Sequence, residues 1–159
     1  MNDVVIRKAT LKDFTAIQKL NHLSFLDAAS RGDDDVLDLR WPFSKVGEAY
    51  YTKALTDAGW VAFVACDTKG DVVGYVIGSS ENKFSYRTVV TGELNDMFVV
   101  PEERRKGIAN RLAQVLKTWM KEKGVDRIYV SVFAKNKRAL AFYEAVGFSA
   151  WEMGLEMGG

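Results

Sequence analysis

The stretch "MFVVPEERRKGIANRL", from Met97 to Leu112, joins an apolar run to an amphipathic one through three successive cations and a glycine. The apolar run that ends at Pro101 is typical of a strand, and apolar residues recur at helical spacing from Ile108 onward. A helix that opens at Gly107 directs unpaired backbone N–H groups outward, and its dipole favours negative charge at that end. The stretch therefore predicts a strand, a turn and a helix, with a site for an anion.

The alternative interpretation is a solvated helix start that happens to be basic. Cations at a helix N-terminus are unfavourable by a few tenths to about 1 kcal/mol unless an anion compensates them, which weakens this alternative without removing it. Neither G-x-x-x-x-G-K-[ST] nor G-x-G-x-x-G occurs in the chain, which argues against a P-loop NTPase and a Rossmann dehydrogenase. The anion is therefore expected to be held in some other way.

The composition limits the class of protein. The chain has 159 residues, of which 48% are hydrophobic and 27% charged, and this predicts one globular domain over residues 1–159. The net charge of +1 argues against nucleic acid and membrane surfaces as partners. A single cysteine, Cys66, fits a reducing compartment, and with the one histidine, His22, it makes no metal-ligand spacing. With no signal-like or membrane-spanning apolar run, a cytoplasmic protein without a metal is expected.

Periodicity and turn residues predict the remaining elements. The fold expected is mixed α/β, with helices covering a largely antiparallel central sheet. The first helix should begin in a capping box at 10–13 and fray before Arg31. The predicted strands are 4–7, 60–66, 72–78, 86–100, 127–133 and 148–157, and the other predicted helices are 44–55, 108–124 and 136–147.

Two motifs resemble the signatures of the GCN5-related N-acetyltransferases (GNAT). Residues 104–109 fit [RQ]-x-x-G-x-[GA] after a strand that ends in proline. The segment "NKRALAFYEAVGF", 136–148, is similar to N-x-x-A-x-x-F-Y-x-x-x-G-F. Both motifs stand in the family's order in a chain of typical family length, so the resemblance covers most of the chain and leaves 27–55 unexplained.

The resemblance implies a GNAT-like acyl-CoA N-acyltransferase fold with acetyl-CoA as the cosubstrate. In this family the pantetheine arm pairs with the strand that precedes the anion loop, as an added strand would. The pyrophosphate lies on the backbone N–H groups of the loop, and an asparagine amide holds the pantetheine. The implied cofactor-binding residues are Met97, Phe98, Val99, Arg104, Arg105, Lys106, Gly107, Ile108, Ala109 and Asn136.

Acetyl transfer to an amine needs a proton acceptor for the amine and a proton donor for the thiolate. Tyr143 matches the family's usual donor, although a tyrosine that merely packs beside Phe142 is the alternative. Glu93 is the candidate base, and the alternative is a solvated strand residue. Asn95 cannot act as a base, and Asp96 should point to the other face of the strand unless a bulge intervenes.

The function predicted is an N-acetyltransferase that moves the acetyl group of acetyl-CoA to a primary amine by direct attack on the thioester. A non-catalytic acyl-CoA sensor on the same fold is the competing class, and Tyr143 favours the enzyme. The acceptor is an amine on a small molecule or a protein. The acidic run 33–38 beside Trp41 and Phe43 could attract such an amine or be a solvated loop. A homodimer is a further expectation, because dimers are common among similar proteins.

Overall fold

The computed structural model describes residues 3–159, and its centre is a five-stranded sheet. The strands lie in chain order, so each pairs with its sequence neighbour. The first three pairings are antiparallel and the last, between the fourth and fifth strands, is parallel. The strands are β1 (Val5–Lys8), β2 (Trp60–Cys66), β3 (Val72–Ser79), β4 (Thr91–Val99) and β5 (Arg127–Val130).

Helices cover both faces of the sheet, and a separate apolar core lies under each layer. Ile17, Leu20 and Tyr51 belong to the core under the first two helices, and Leu112 and Leu116 belong to the core under the third. The helices are α1 (Phe14–Arg31), α2 (Lys45–Thr56), α3 (Ile108–Glu122) and α4 (Lys137–Ala145). This arrangement confirms the predicted mixed α/β class.

Local predictions are mostly confirmed, and the misses lie at element ends. The capping box exists at Thr10, over a short 3-10 turn that precedes α1. The fraying before Arg31 is wrong, because α1 continues to Arg31 and ends at Gly32, whose left-handed φ of 70° closes the helix. β4 begins at Thr91 rather than at residue 86, and β5 ends at Val130 rather than at 133.

The predicted last strand over 148–157 is wrong for the single chain. Residues 148–159 have no regular secondary structure in the part of the chain that the structure describes. Apolar residues do alternate from Trp151 to Met157, but a strand forms only when a neighbouring strand accepts its backbone hydrogen bonds.

A bulge in β4 prepares the functional site. Ile77 of β3 faces Asp96, whereas the next residue, Gly78, faces Leu94, so Asn95 is the extra residue. Such a bulge turns the following side chain to the other face and bends the strand. The parallel pairing of β4 with β5 also ends at Leu94 and Val130. Beyond this point the two strands diverge and leave a cleft between them.

Candidate active site

The larger of two adjoining cavities occupies the cleft beside the end of β4, with a volume of about 600 Å³. Its walls are the last residues of β4, the loop that follows, the start of α3, one side of α4 and the second half of α1. Nine of the ten residues predicted to bind the cofactor lie in this lining. They are Met97, Phe98, Val99, Arg104, Arg105, Gly107, Ile108, Ala109 and Asn136.

The loop before α3 has the backbone geometry of an anion site. Gly107 has φ of +80°, and Arg105, with φ of +63°, is a non-glycine residue in the same left-handed region. A Cβ placed on Gly107 would meet no protein atom within 4 Å, so it would enter open space. The N–H groups of the first turn of α3 have no partner within the helix. A phosphate beside this loop would find donors together with the positive end of the dipole.

Four charged side chains form a cluster at the wall of this cavity. Asp27 accepts a hydrogen bond from the Arg104 guanidinium at 3.0 Å, and Arg31 and Arg138 lie 3.5 and 3.7 Å from the same carboxylate oxygen. Burial and the neighbouring Arg104 charge lower the pKa of Arg138. Arg31 also pairs with the buried Asp33 side chain at 2.8 Å, so three guanidinium groups stand against two carboxylates, and the remaining positive charge favours an anionic ligand here.

Arg104 and Lys106 have structural partners of their own. Arg104 Nε donates to the carbonyl oxygen of Val99 at 2.8 Å, and its guanidinium stacks over Phe98 at 5.2 Å. These contacts fix the end of β4 against the loop. Lys106, the tenth predicted residue, pairs with Glu103 at 3.0 Å and is not in the cavity lining.

Asn136 stands at the start of α4, where it caps the helix. Its Oδ1 accepts the backbone N–H of Ala139 at 3.1 Å. Since the carbonyl oxygen is engaged, a ligand in the cavity would meet the Nδ2 donor. The same side chain can therefore begin the helix and hold a carbonyl of a bound chain.

The smaller cavity, of about 440 Å³, lies on the other side of Met97. The two spaces meet beyond the end of the β4–β5 pairing, and they share six lining residues: Ser24, Arg31, Met97, Asn136, Ala139 and Tyr143. Aromatic and apolar side chains from distant segments form most of its walls. These are Phe25, Leu37, Trp41, Tyr50, Leu94, Val130, Val132 and Phe133.

Tyr143 lies at the junction of the two cavities. Its side chain is buried between Phe142 and Phe148, with ring centroids 5.3 and 5.4 Å away, and it still contributes to both linings. Burial, helped by the negative charge of Asp96, raises the pKa of Tyr143. The hydroxyl is therefore protonated at neutral pH, as a proton donor must be.

Asp96 lies in the wall of the smaller cavity, because the bulge turns it to that side. Its Oδ2 accepts hydrogen bonds from Asn21 Nδ2 and from the Tyr75 hydroxyl, both at 2.6 Å. The Tyr51 hydroxyl donates in turn to Asn21 Oδ1. Burial raises the pKa of Asp96 to about 6, although the hydrogen bonds from Tyr75, Asn21 and the backbone oppose this shift. A carboxylate with a pKa near the working pH suits proton transfer.

Glu93, the predicted base, occupies a different environment. Its Oε1 pairs with Lys83 Nζ at 2.9 Å and accepts from Asn95 Nδ2 at 3.1 Å. Glu93 is not among the described residues that line either cavity. The structure thus brings Tyr143 and Asp96 to one cavity and leaves Glu93 outside it.

From the sequence, Asp96 was expected on the face of β4 that points away from the site. The expectation that Asp96 points to the opposite face was made for a strand without a bulge, and the bulge at Asn95 is the exception that it named. The Asn-Asp pair directly before the apolar Met97–Val99 was the available signal, since such residues are unfavourable in a regular central strand.

Residues 3–159 contain neither a candidate metal site nor a helix that could span a membrane. In residues 3–159, no group of three or more His, Cys, Asp or Glu side chains could hold a metal ion. Within the same residues, every helix is too short or too polar to cross a bilayer.

Splayed central strands, an anion loop at a helix start and a protonated tyrosine at the end of the cleft define the class of acyl-CoA N-acyltransferases. The model of the Acetyltransferase (GNAT) family matches residues 20–148, and the chain belongs to this family. It is an acetyl-CoA-dependent N-acetyltransferase that transfers the acetyl group to an amine.

Two relatives illustrate the similarity in sequence. The N-alpha-acetyltransferase of Saccharolobus solfataricus is 28% identical over 92% of this chain and 80% of that protein. The protein called Uncharacterized N-acetyltransferase MJ1207, from Methanocaldococcus jannaschii, is 26% identical over 76% of this chain. The matched region spans 58% of the length of that second relative.

Solved structures share the fold over nearly the whole chain. A mutant of the BH1408 protein from Bacillus halodurans superimposes with a TM-score of 0.83 at 20% identity, covering 97% of this chain and 98% of that one. The aminoglycoside N-acetyltransferase AAC(6')-Iy in complex with CoA gives 0.77 at 18% identity, covering 98% and 94%. At these identities the likeness concerns the fold.

Proposed function

We propose that acetyl-CoA occupies the larger cavity and that the amine acceptor enters through the smaller one. The pyrophosphate would lie on the N–H groups of the 104–109 loop, and the pantetheine arm would run along Met97–Val99 toward Asn136. The observation that carries this proposal is the junction of the two cavities at Tyr143. A thioester that reaches this point from one side would face an amine that arrives from the other, and this proximity is a large part of catalysis.

Tyr143 would act as the proton donor to the departing thiolate. Its hydroxyl carries the proton at neutral pH, and the residue lines both cavities. As the carbon–sulfur bond breaks, negative charge develops on sulfur, and a hydroxyl at that place lowers the barrier by hydrogen bonding and then by proton transfer.

Two carboxylates are candidates for accepting the proton of the acceptor ammonium. Asp96 is the first, because it lines the acceptor cavity and ionises near pH 6. Glu93 is the second, and it would have to act through water while its carboxylate is shared with Lys83. We assign the base to Asp96, with Asn21 and Tyr75 as positioning residues that hold its carboxylate.

The lining of the smaller cavity indicates the kind of amine. Asp96 is the one acidic residue among the described residues of this lining, and Arg31 is also part of it. A polycationic acceptor needs several carboxylates, whereas a single ammonium on an apolar body needs one carboxylate and aromatic walls such as Trp41 and Tyr50. We therefore propose a primary monoamine with an apolar or aromatic body, carried by a small molecule or a chain terminus.

An acceptor panel tests this proposal. Release of free CoA from acetyl-CoA is measured with an arylalkyl monoamine, a peptide with an apolar amino terminus, a polyamine and an aminoglycoside, each at the same concentration. We expect kcat/KM to be highest for the first two. A clear preference for the polyamine or the aminoglycoside would contradict the proposed acceptor class, and CoA release with none of the acceptors would contradict the use of amines of these kinds.

We also propose a cytoplasmic location and a homodimer. The single cysteine and the balanced charge support residence in the cytoplasm. A homodimer would agree with the apolar surface that the C-terminal segment exposes. Both are tested by fractionation and by sedimentation of the purified full chain.

A further inference from the structure

Asp27 places a negative charge in the wall of a cavity that otherwise attracts anions. It lies in the second half of α1, and its Oδ2 is the single oxygen that the three guanidinium groups of the cluster approach. The distances from this oxygen are 3.0 Å to Arg104, 3.5 Å to Arg31 and 3.7 Å to Arg138. Proteins hold a phosphate in the same way, with anionic oxygens among guanidinium groups. The carboxylate therefore resembles a phosphate in this position.

Two of the three guanidinium groups do not need Asp27 to hold them in place. Arg104 Nε donates to the carbonyl oxygen of Val99 at 2.8 Å. Arg31 Nε donates to the carboxylate of Asp33 at 2.9 Å, and the Asp33 side chain is fully buried. Neutralising Asp27 would therefore leave both groups where they are and would free positive charge for another anion.

Asp27 and Arg138 are held less firmly. In the part of the chain that the structure describes, the Asp27 carboxylate forms hydrogen bonds and ion pairs only with the three guanidinium groups, and its side chain is 32% exposed. The Arg138 side chain is 61% exposed, and its ion-pair partner is Asp27. Side chains that border solvent change rotamer rapidly. Asp27 can therefore turn away when another anion arrives, and Arg138 can move to that anion.

We propose that Asp27 is an internal counter-ion that competes with the phosphate groups of CoA for Arg104 and Arg138. Without CoA, its carboxylate offsets the repulsion among the guanidinium groups. When CoA binds, a phosphate takes the place of the carboxylate, which turns to solvent. Acetyl-CoA and CoA carry the same phosphates, so the competition weakens the binding of both and speeds release of the product. This inference rests on the proposed location of the cofactor in the larger cavity.

Calorimetry with CoA tests the proposal on the full chain. Asp27→Asn keeps the size of the side chain and removes its charge. We expect the Kd for CoA to fall by about 10-fold at low ionic strength, and the gain to shrink as salt is added, because the competition is electrostatic. The rate constant of CoA dissociation, measured by stopped flow, should fall by a similar factor. Glu122→Gln removes an exposed carboxylate at the far end of α3 and should bind CoA as the wild type does.

A second variant and a second ligand sharpen the test. Asp27→Ala removes the amide as well as the charge and suits a helix, so it should also tighten CoA binding, and thermal unfolding shows that both variants are folded. Dephospho-CoA keeps the pyrophosphate and lacks the 3′-phosphate. A gain in affinity that persists with dephospho-CoA assigns the competition to the pyrophosphate, and a gain seen only with CoA assigns it to the 3′-phosphate.

Weaker CoA binding in Asp27→Asn would overturn the proposal, because Asp27 would then position the guanidinium groups for the ligand. An affinity equal to that of Glu122→Gln would overturn it as well. Arg138→Met and Gly107→Val separate this failure from failure of the proposed cofactor site. If both weaken CoA binding and Asp27→Asn does not strengthen it, the cofactor site stands and only the counter-ion is wrong. If none of the three changes CoA affinity, the larger cavity does not hold the cofactor.

Discussion

The two cavities that meet at Tyr143 are built from the chain in different ways. The larger one takes much of its wall from one continuous stretch, from Met97 to Asn110, with α4 closing the other side. The smaller one collects its wall from α1, the loop before α2, the bulge of β4 and the residues after β5. Most of the lining of the larger cavity is thus local in sequence, although α1 adds Ser24, Asp27 and Arg31, whereas the lining of the smaller cavity comes from distant segments.

This difference predicts that substitutions in the two cavities have different effects on turnover and on CoA affinity. Changes on the acceptor side should lower turnover with the amine and leave CoA affinity intact. Changes in the anion loop should weaken CoA binding first. Four variants test this separation. An acceptor-side variant that also weakens CoA binding would show that the two cavities act as one site.

Asp96→Asn should have the largest effect. It removes the proposed base and keeps the size of the side chain, so kcat/KM for the amine should fall by about 10²- to 10³-fold. The wild type should lose activity as pH falls through about 6, where the buried carboxyl takes up a proton, and the variant should lack this limb. CoA affinity by calorimetry is the control, and an unchanged pH–rate profile would exclude Asp96 as the base.

Tyr143→Phe should lower kcat by about 10²-fold, because the ring stays packed and only the proton donor is lost. CoA affinity should change little, and thermal unfolding should stay close to that of the wild type. Single-turnover kinetics would confirm that the slow step is acetyl transfer rather than product release. Wild-type turnover in this variant would show that Tyr143 only packs beside Phe142 and is not the proton donor.

Gly107→Val should weaken CoA binding by about 10-fold or more, because the new side chain enters the space proposed for the pyrophosphate. The left-handed φ adds backbone strain of about 1–2 kcal/mol, which needs its own control. Gly124 supplies it, since it has φ of +78°, open space at its Cβ and a position at the far end of α3. Gly124→Val should show the same loss of thermal stability with normal CoA affinity. Equal CoA affinities in the two variants would exclude the loop as the pyrophosphate site.

Glu93→Gln should have the smallest effect, less than about 3-fold on kcat/KM, because its partner is Lys83 and Asp96 is the assigned base. Lys83→Met, which removes the other partner of the ion pair, is the matched control and should behave similarly. A fall of 10²-fold in Glu93→Gln alone would transfer the role of base from Asp96 to Glu93.

Prediction from sequence succeeded where the relevant forces act between near neighbours in the chain. The helix that starts after Asn136, the helix that starts after Gly107 and the strand before Pro101 all follow from residues within a few positions of one another. The predicted last strand was wrong because its pairing partner cannot be identified from the segment itself. The apolar alternation from Trp151 onward is present, but the side chains of Met153, Leu155 and Met157 are exposed in the single chain.

The amino-acid sequence by itself determined the order of the elements, the anion loop and the presence of a tyrosine where the family's proton donor stands. Tertiary structure decided which carboxylate faces the acceptor. The side chain of Asp96 points into the cavity only because the register between β3 and β4 shifts at Asn95. It is held there by Asn21 and Tyr75, which are 75 and 21 residues away in the chain. Strand register and long-range hydrogen bonds depend on the packing of the whole sheet, and no local pattern encodes them.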